Sequence, residues 1–281
     1  VHYHCQNFLD TVDRGIEARV DIDRYEVHRG GHSTQVRPFP ISIDFQAHDH
    51  KSRSKEVQAA MDRWRKKLNL AEGDLVGVGI ERLDYTKGIP DRLRGFDYLL
   101  ETHPEYQGRV RFIQVAVPSR THVPAYRQIN QEADDAVQAI NDRWRTDTWE
   151  PITYIKDQQG AVDMMALHRL SRFCIVSSLH DGMNLVAKEF VASRHDDDGV
   201  LILSRFTGSA RELGDALLIN PFSIGEIAEA MHMAIEMPEE ERHRRMQRMR
   251  AHVKEYNVYR WAGRILSSLL KFDFPEEADE A

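Results

Sequence analysis

The chain has 281 residues, of which 41% are hydrophobic and 9% aromatic, and it carries a formal net charge of −7. That length and composition suit a soluble globular protein with a sizeable core, and the acidic balance leaves no basic field of the size nucleic-acid binding needs. No apolar run reaches the roughly 18 residues of a membrane span. Two cysteines, Cys5 and Cys174, are too few for a disulfide framework, so a reducing, cytoplasmic setting is expected.

The first residue is Val1 rather than Met, so the chain is expected to begin partway through a longer protein. The spacing of Phe8, Leu9, Val12 and Ile16 predicts a helix over residues 1–19. Its histidines have no second ligand set at metal spacing. Next, segments 25–27 and 33–36 flank Arg29-Gly-Gly31, a hairpin signal because paired glycines take positive φ at little cost. Pro38 and Pro40 mark an extended segment at 37–44, and the polar stretch 46–56 reads as a linker into a helix over 57–68.

From there the pattern is regular. Strands are predicted at 75–80, 110–117, 152–155, 173–178, 200–204 and 216–220. Helices are predicted between them: one opened by Pro90, then 123–144, 162–170, 184–193 and 224–237. A last helical stretch at 239–270 precedes an acidic, disorder-prone tail at 273–281. In that stretch Arg242, Arg244, Arg245, Arg248 and Arg250 interleave with Glu239 to Glu241 and Met246, Met249, and read as a solvated helix face. Strands alternating with helices imply an α/β fold of parallel βαβ units, with the sheet covered on both faces.

In such a sheet ligands bind outside the carboxyl ends of the strands, so the loops after successive strands converge on one crevice. The loop Glu81-Arg-Leu-Asp-Tyr-Thr-Lys-Gly88 brings Arg82 and Lys87, which can neutralise charge developing on a diphosphate leaving group without a metal ion. Further loops bring Pro118-Ser-Arg120, His180-Asp-Gly-Met-Asn184 and Arg205-Phe-Thr-Gly-Ser209. The loop 180–184 runs from a buried strand into a helix opening near Asn184, whose free N–H groups favour a phosphate or the hydroxyls of a polar ligand. Asp181 and Glu189 stand where they can orient sugar and ribose hydroxyls. Rival chemistries lack their motifs: there is no GxxxxGK[ST], no complete dinucleotide fingerprint, no HExxH and no GxSxG.

The motifs Glu81-Arg-Leu-Asp-Tyr-Thr-Lys-Gly-Ile-Pro90, Pro118-Ser-Arg120, Asp181-Gly-Met-Asn-Leu-Val-Ala-Lys-Glu-Phe190 and Leu203-Ser-Arg-Phe-Thr-Gly-Ser-Ala-Arg-Glu-Leu213 resemble those of the trehalose-6-phosphate synthases, the retaining glucosyltransferases of family 20 with a GT-B fold. The similarity runs over residues 36–270. It implies a nucleotide-diphosphate glucose donor, a glucose 6-phosphate acceptor, an α,α-1,1 product and no cofactor or metal. Carried over residue by residue, Arg82 and Lys87 match the diphosphate-binding, catalytic pair. Asp181, Gly182, Met183 and Asn184 match contacts to the transferred glucose, and Leu185, Val186 and Glu189 match the diphosphate and ribose site. Val115 matches a backbone contact to the base, and Arg120 an arginine on the acceptor phosphate. The resemblance implies front-face attack, with the leaving phosphate helping to deprotonate the acceptor.

Gln159 departs from the family pattern, standing where a typical bacterial member has an aromatic residue near the base. UDP-glucose is favoured, with GDP and ADP donors left open, as is homo-oligomerisation. The resemblance also divides the chain: 1–45 as the end of an N-terminal acceptor-side domain mostly absent here, 46–70 as linker and connecting helix, 71–237 as the Rossmann-like donor domain, 238–272 as a helix crossing back, and 273–281 as tail. Two rival readings are a relative with another acceptor, such as a glucosylglycerol-phosphate synthase or pseudo-glycosyltransferase, and a non-catalytic regulatory subunit.

Overall fold

The structure, a computed structural model, describes residues 1–71 and 73–271 and divides into two units, residues 1–42 with 257–271 and residues 43–256. In the first, helix α1 (His2–Gly15) buries Cys5, Leu9 and Val12, the i, i+4, i+7 stripe of an amphipathic helix. An antiparallel sheet follows, made of β1 (Arg19–Asp21), β2 (Glu26–Arg29) and β3 (His32–Gln35). Gly30 and Gly31 take φ of 57° and 81°, which the tight turn between β2 and β3 requires. The expected hairpin is therefore present with one more strand, β1, whose three residues are too few to show an alternation.

The second unit opens with α2 (Phe45–Ser52) and α3 (Lys55–Lys67). The stretch expected to be a linker is thus largely helical: Asp44 caps α2 by accepting from the Ala47 N–H at 2.9 Å, and Phe45 and Ser52 are buried. Two apolar residues in a polar stretch of eight gave no periodicity to detect. Then come β4 (Leu75–Leu83), α4 (Ile89–Thr102), β5 (Val110–Pro118), α5 (Pro124–Trp144), β6 (Ile152–Ile155), α6 (Ala161–Leu170), β7 (Phe173–Val176), α7 (Leu185–Ser193), β8 (Val200–Ser204), β9 (Leu217–Ile219), α8 (Ile224–Glu236) and α9 (Glu239–Glu255). The tail expected at 273–281 lies outside the described residues.

The six strands β4 to β9 are all parallel, in the order β6-β5-β4-β7-β8-β9. The chain builds outward from β4 to β6, then returns to lay β7 against the free side of β4. The strand order reverses between β4 and β7, and the loops leaving those two strands diverge to open a crevice. Alternate residues feed opposite faces. In β7, Cys174 and Val176 join the core under α2, α3, α6, α7 and α9, while Phe173 and Ile175 join the core under α4, α5 and α8.

The expected helix over 239–270 is two. It breaks after α9, and α10 (Val258–Leu269) restarts with Asn257 capping it, the side chain accepting from the N–H groups of Tyr259 and Arg260 at 3.0 and 3.1 Å. Nor is the arginine run of α9 a uniformly solvated face. Arg242 is buried, donating to the Met237 carbonyl at 2.7 Å and pairing with Asp198, and Arg250 donates to the Ala192 carbonyl at 3.0 Å and pairs with Asp49. Long stems let these side chains reach inward from a helix whose charge content reads as surface.

Candidate active site

Strand β4 runs on to Leu83, so Arg82 sits on its last turn of pleat, exposed, rather than in a loop. After it Asp84 closes a short 3₁₀ turn (Tyr85–Lys87), its carboxylate accepting from the Thr86 N–H at 2.9 Å and hydroxyl at 2.8 Å. Gly88 then turns the chain into α4 with φ of 60°, and a Cβ there would lie 2.4 Å from the Ser177 carbonyl oxygen. Both observations require glycine. The turn is tied to the next loop by the Leu179 N–H, which donates to the Thr86 carbonyl at 2.7 Å.

That second loop follows β7. Lys87 Nζ lies 2.6 Å from Asp181 Oδ2, and the same carboxylate accepts from Asn184 Nδ2 at 3.1 Å, Ser178 Oγ at 3.4 Å and the Met183 N–H at 3.4 Å. Burial by itself would raise the Asp181 carboxyl, but the hydrogen bond and charge of Lys87, with Asn184 and Met183, outweigh it and hold the group below the usual carboxylate range. Asn184 adopts a φ of 76° and caps α7, accepting from the Ala187 N–H at 3.0 Å. Asparagine tolerates this left-handed backbone better than most residues. The loop is held from its other side by the segment after β8: the Gly208 N–H donates to the Asp181 carbonyl at 3.1 Å and the Ser209 N–H to the Met183 carbonyl at 2.8 Å.

A cavity of about 280 Å³ opens here, lined by Arg82, Lys87, Val115, Asn184 and Val186 among the expected residues. Gln159 lines it too, beside Gln158 and Met164. Asp181 reaches it through Lys87. Gly182, Met183 and Leu185 lie on the same loop and helix without lining the cavity. Glu189, one turn into α7, is largely buried, and burial raises its carboxyl. Arg120 stands apart from the lining: its Nη1 donates to the Tyr126 hydroxyl at 3.1 Å, which donates to Asp84 Oδ2 at 3.0 Å. Among the described residues no cluster of three or more His, Cys, Asp or Glu side chains is arranged to hold a metal ion, and no helix is long and apolar enough to cross a membrane.

Beneath the cavity lies a buried polar group that the sequence reading missed. Arg92 of α4 is fully buried and pairs with Glu81, whose other oxygen, Oε1, has no partner among the described residues and whose carboxyl burial raises. One signal pointed to it: Gly79 sits inside a strand, where glycine marks a close approach. A Cβ at Gly79 would lie 2.1 Å from Arg92 Nη1.

The sequence model of glycosyltransferase family 20 matches residues 1–271. The chain belongs to glycosyltransferase family 20. Among its relatives, a bifunctional trehalose-6-phosphate synthase/phosphatase of Thermoproteus tenax is 39% identical over 267 residues, covering 95% of this chain and 36% of that protein. A UDP-forming α,α-trehalose-phosphate synthase of Burkholderia xenovorans, solved in complex with glucose-6-phosphate, superposes with a TM-score of 0.90 at 31% identity, covering 96% of this chain and 59% of that one. An E. coli structure described as trehalose-6-phosphate bound with UDP-2-fluoro glucose gives a TM-score of 0.90 at 28% identity, covering 97% of this chain and 60% of that one. The family 20 chain thus spans between roughly a third and three fifths of these relatives' lengths. The likeness to the solved structures confirms the expected α/β, GT-B type fold with its parallel sheet.

Proposed function

We propose that this chain carries the donor side of a retaining glucosyl transfer from UDP-glucose to glucose 6-phosphate, giving trehalose 6-phosphate. The observation that carries the reading is the pairing of two cations, Arg82 and Lys87, along one cavity at the strand reversal, with Asp181 beside them. A sugar nucleotide needs that combination: positive charge for a departing diphosphate and a carboxylate for sugar hydroxyls. Relatives named UDP-forming, one solved with glucose-6-phosphate, support the choice of substrates.

In this reading the bond from the anomeric carbon to the diphosphate oxygen breaks as the acceptor hydroxyl bonds to that carbon from the same face. The hydroxyl proton passes to the departing phosphate oxygen, so no carboxylate nucleophile is required. Arg82 and Lys87 stabilise the growing negative charge, and no metal ion takes part. Asp181, with Gly182 to Asn184, holds the glucose; Leu185, Val186 and Glu189 hold the diphosphate and ribose; Val115 meets the base; Arg120 holds the acceptor phosphate.

The test is incubation of the full-length protein with UDP-glucose and glucose 6-phosphate in the presence of a chelator. Expected are UDP release that depends on the acceptor and a non-reducing phosphorylated disaccharide with two α-anomeric protons by NMR. Release of UDP by water alone, or a product with a β-linked sugar, refutes the reading.

A further inference from the structure

Arg92 does not line the cavity, yet it bonds to the strand that carries Arg82 and to the turn that carries Lys87. Its Nε donates to Ser177 Oγ at 3.0 Å, its Nη1 to Gln114 Oε1 at 3.2 Å, and its Nη2 to the Lys87 carbonyl at 3.4 Å as well as to Glu81. One guanidinium therefore connects β4, β5, the end of β7 and the turn that carries Lys87. Ser177 Oγ, held by Arg92, lies 3.2 Å from the Lys87 carbonyl and 3.0 Å from that of Gly88. Its single proton serves one of the two at a time, and the Lys87 carbonyl has two donors within reach, the Ser177 hydroxyl and the Arg92 guanidinium.

Stability alone is a poor account of this arrangement. Taking a carboxylate and a guanidinium out of water costs several kcal/mol each, and an apolar replacement for such a pair is often neutral or stabilising. What a guanidinium adds is a rigid planar fork with five donors, able to fix several acceptors at once. Gly79 leaves the space for that fork, and Gly88 lets the chain turn away into α4.

We propose that the Arg92–Ser177 pair is a positioning device for Lys87, setting the backbone from which its ammonium reaches the diphosphate; this rests on the nucleotide-sugar reading above. Neither residue touches the ligand. Their contribution passes through Lys87, so it vanishes when the ammonium is removed.

The test is a double-mutant cycle on the dissociation constant for UDP, measured by calorimetry on the unsubstituted chain, Ser177→Ala, Lys87→Ala and the double variant, with melting temperatures alongside. Ser177→Ala is expected to weaken UDP binding about tenfold, and to change it by less than about twofold once Lys87 is alanine. Binding of uridine, which lacks the diphosphate, followed by ligand-observed NMR, is expected to change by less than about twofold in Ser177→Ala. Arg92→Lys keeps a charge for Glu81 but loses the fork, and is expected to match Ser177→Ala; if that variant does not fold, the Ser177 cycle decides alone. An equal loss in both backgrounds, a loss for uridine as large as for UDP, or unchanged UDP affinity in a folded Ser177→Ala or Arg92→Lys chain overturns the proposal. Failure of the unsubstituted chain to bind UDP overturns the nucleotide-sugar reading itself, and the proposal with it.

Discussion

Lys87 Nζ and Asp181 Oδ2 lie 2.6 Å apart, each delivered by the loop that leaves one of the two strands between which the sheet order reverses. Both side chains are largely shielded, so their attraction is screened less than that of a surface pair. A bound diphosphate would compete for the ammonium, and a bound sugar for the carboxylate.

Replacing Lys87 with alanine in the full-length protein is predicted to lower turnover by on the order of a hundredfold or more, the usual scale for losing an electrostatic stabiliser of the transition state. The same change removes the chief group holding down the Asp181 carboxyl. Its titration, followed by NMR of the labelled side chain, is expected to move to higher pH. Near-normal turnover, or a carboxyl that does not move, contradicts the assigned role.

The loop carrying Asp181 depends on a glycine from a different segment. A Cβ on Gly208 would lie 2.1 Å from the Gly182 carbonyl oxygen and 3.1 Å from Met183 Cα, both backbone atoms that cannot swing aside. Gly208→Ala is predicted to cost about 1–3 kcal/mol of stability, the range for overpacking, and to weaken UDP-glucose binding. Urea unfolding and calorimetry measure the two effects; unaltered values for both would mean that the loop yields freely.

Asp198 gives a prediction in pH. Burial opposes its ionisation, but the hydrogen bond from Arg242, the Gly199 N–H and the charges of Arg242 and Arg194 bring its carboxyl down from 3.8 to about 2. Between those values the unfolded chain binds the proton and the folded chain does not. The contribution, about 2 kcal/mol, is therefore complete above the unfolded value and lost as pH falls through about 2. Asp198→Asn is expected to be destabilised by about that amount at neutral pH, with the gap to the unsubstituted chain closing on acidification. A gap that stays constant down to low pH would contradict the ion-pair account.

Arg120 stands outside the cavity lining, tethered to Tyr126. Arg120→Ala is expected to leave UDP affinity within about twofold while weakening use of glucose 6-phosphate, since the lost charge is worth far more to a phosphate than to a neutral group. Loss of UDP binding instead would place this arginine on the donor.

The parallel sheet was readable from sequence because its strands are mostly apolar runs, and strands such as β7 and β8, buried along their whole length, have no polar alternation to blur them. The site loops were readable for a related reason: in this fold they follow the strand ends, so Arg82, Lys87 and Asn184 could be assembled from the order of elements, whereas Val115 and Val186 were expected only from the family resemblance. What stayed hidden was polar chemistry in unexpected places. Arg92 looks like one charge on an amphipathic helix until Gly79 is recognised as its socket, and α2 looks like a linker because Asp44 capping and two buried residues, rather than a stripe, hold it in place.

The most direct measurement is a calorimetric titration of the chain with UDP, GDP and ADP, each with and without magnesium, repeated with Arg82→Ala. The account predicts one-to-one binding of UDP in preference to GDP and ADP, unchanged when magnesium is withheld and lost in Arg82→Ala. Indifference to the base, dependence on magnesium, or no binding by a chain shown to be folded would contradict it.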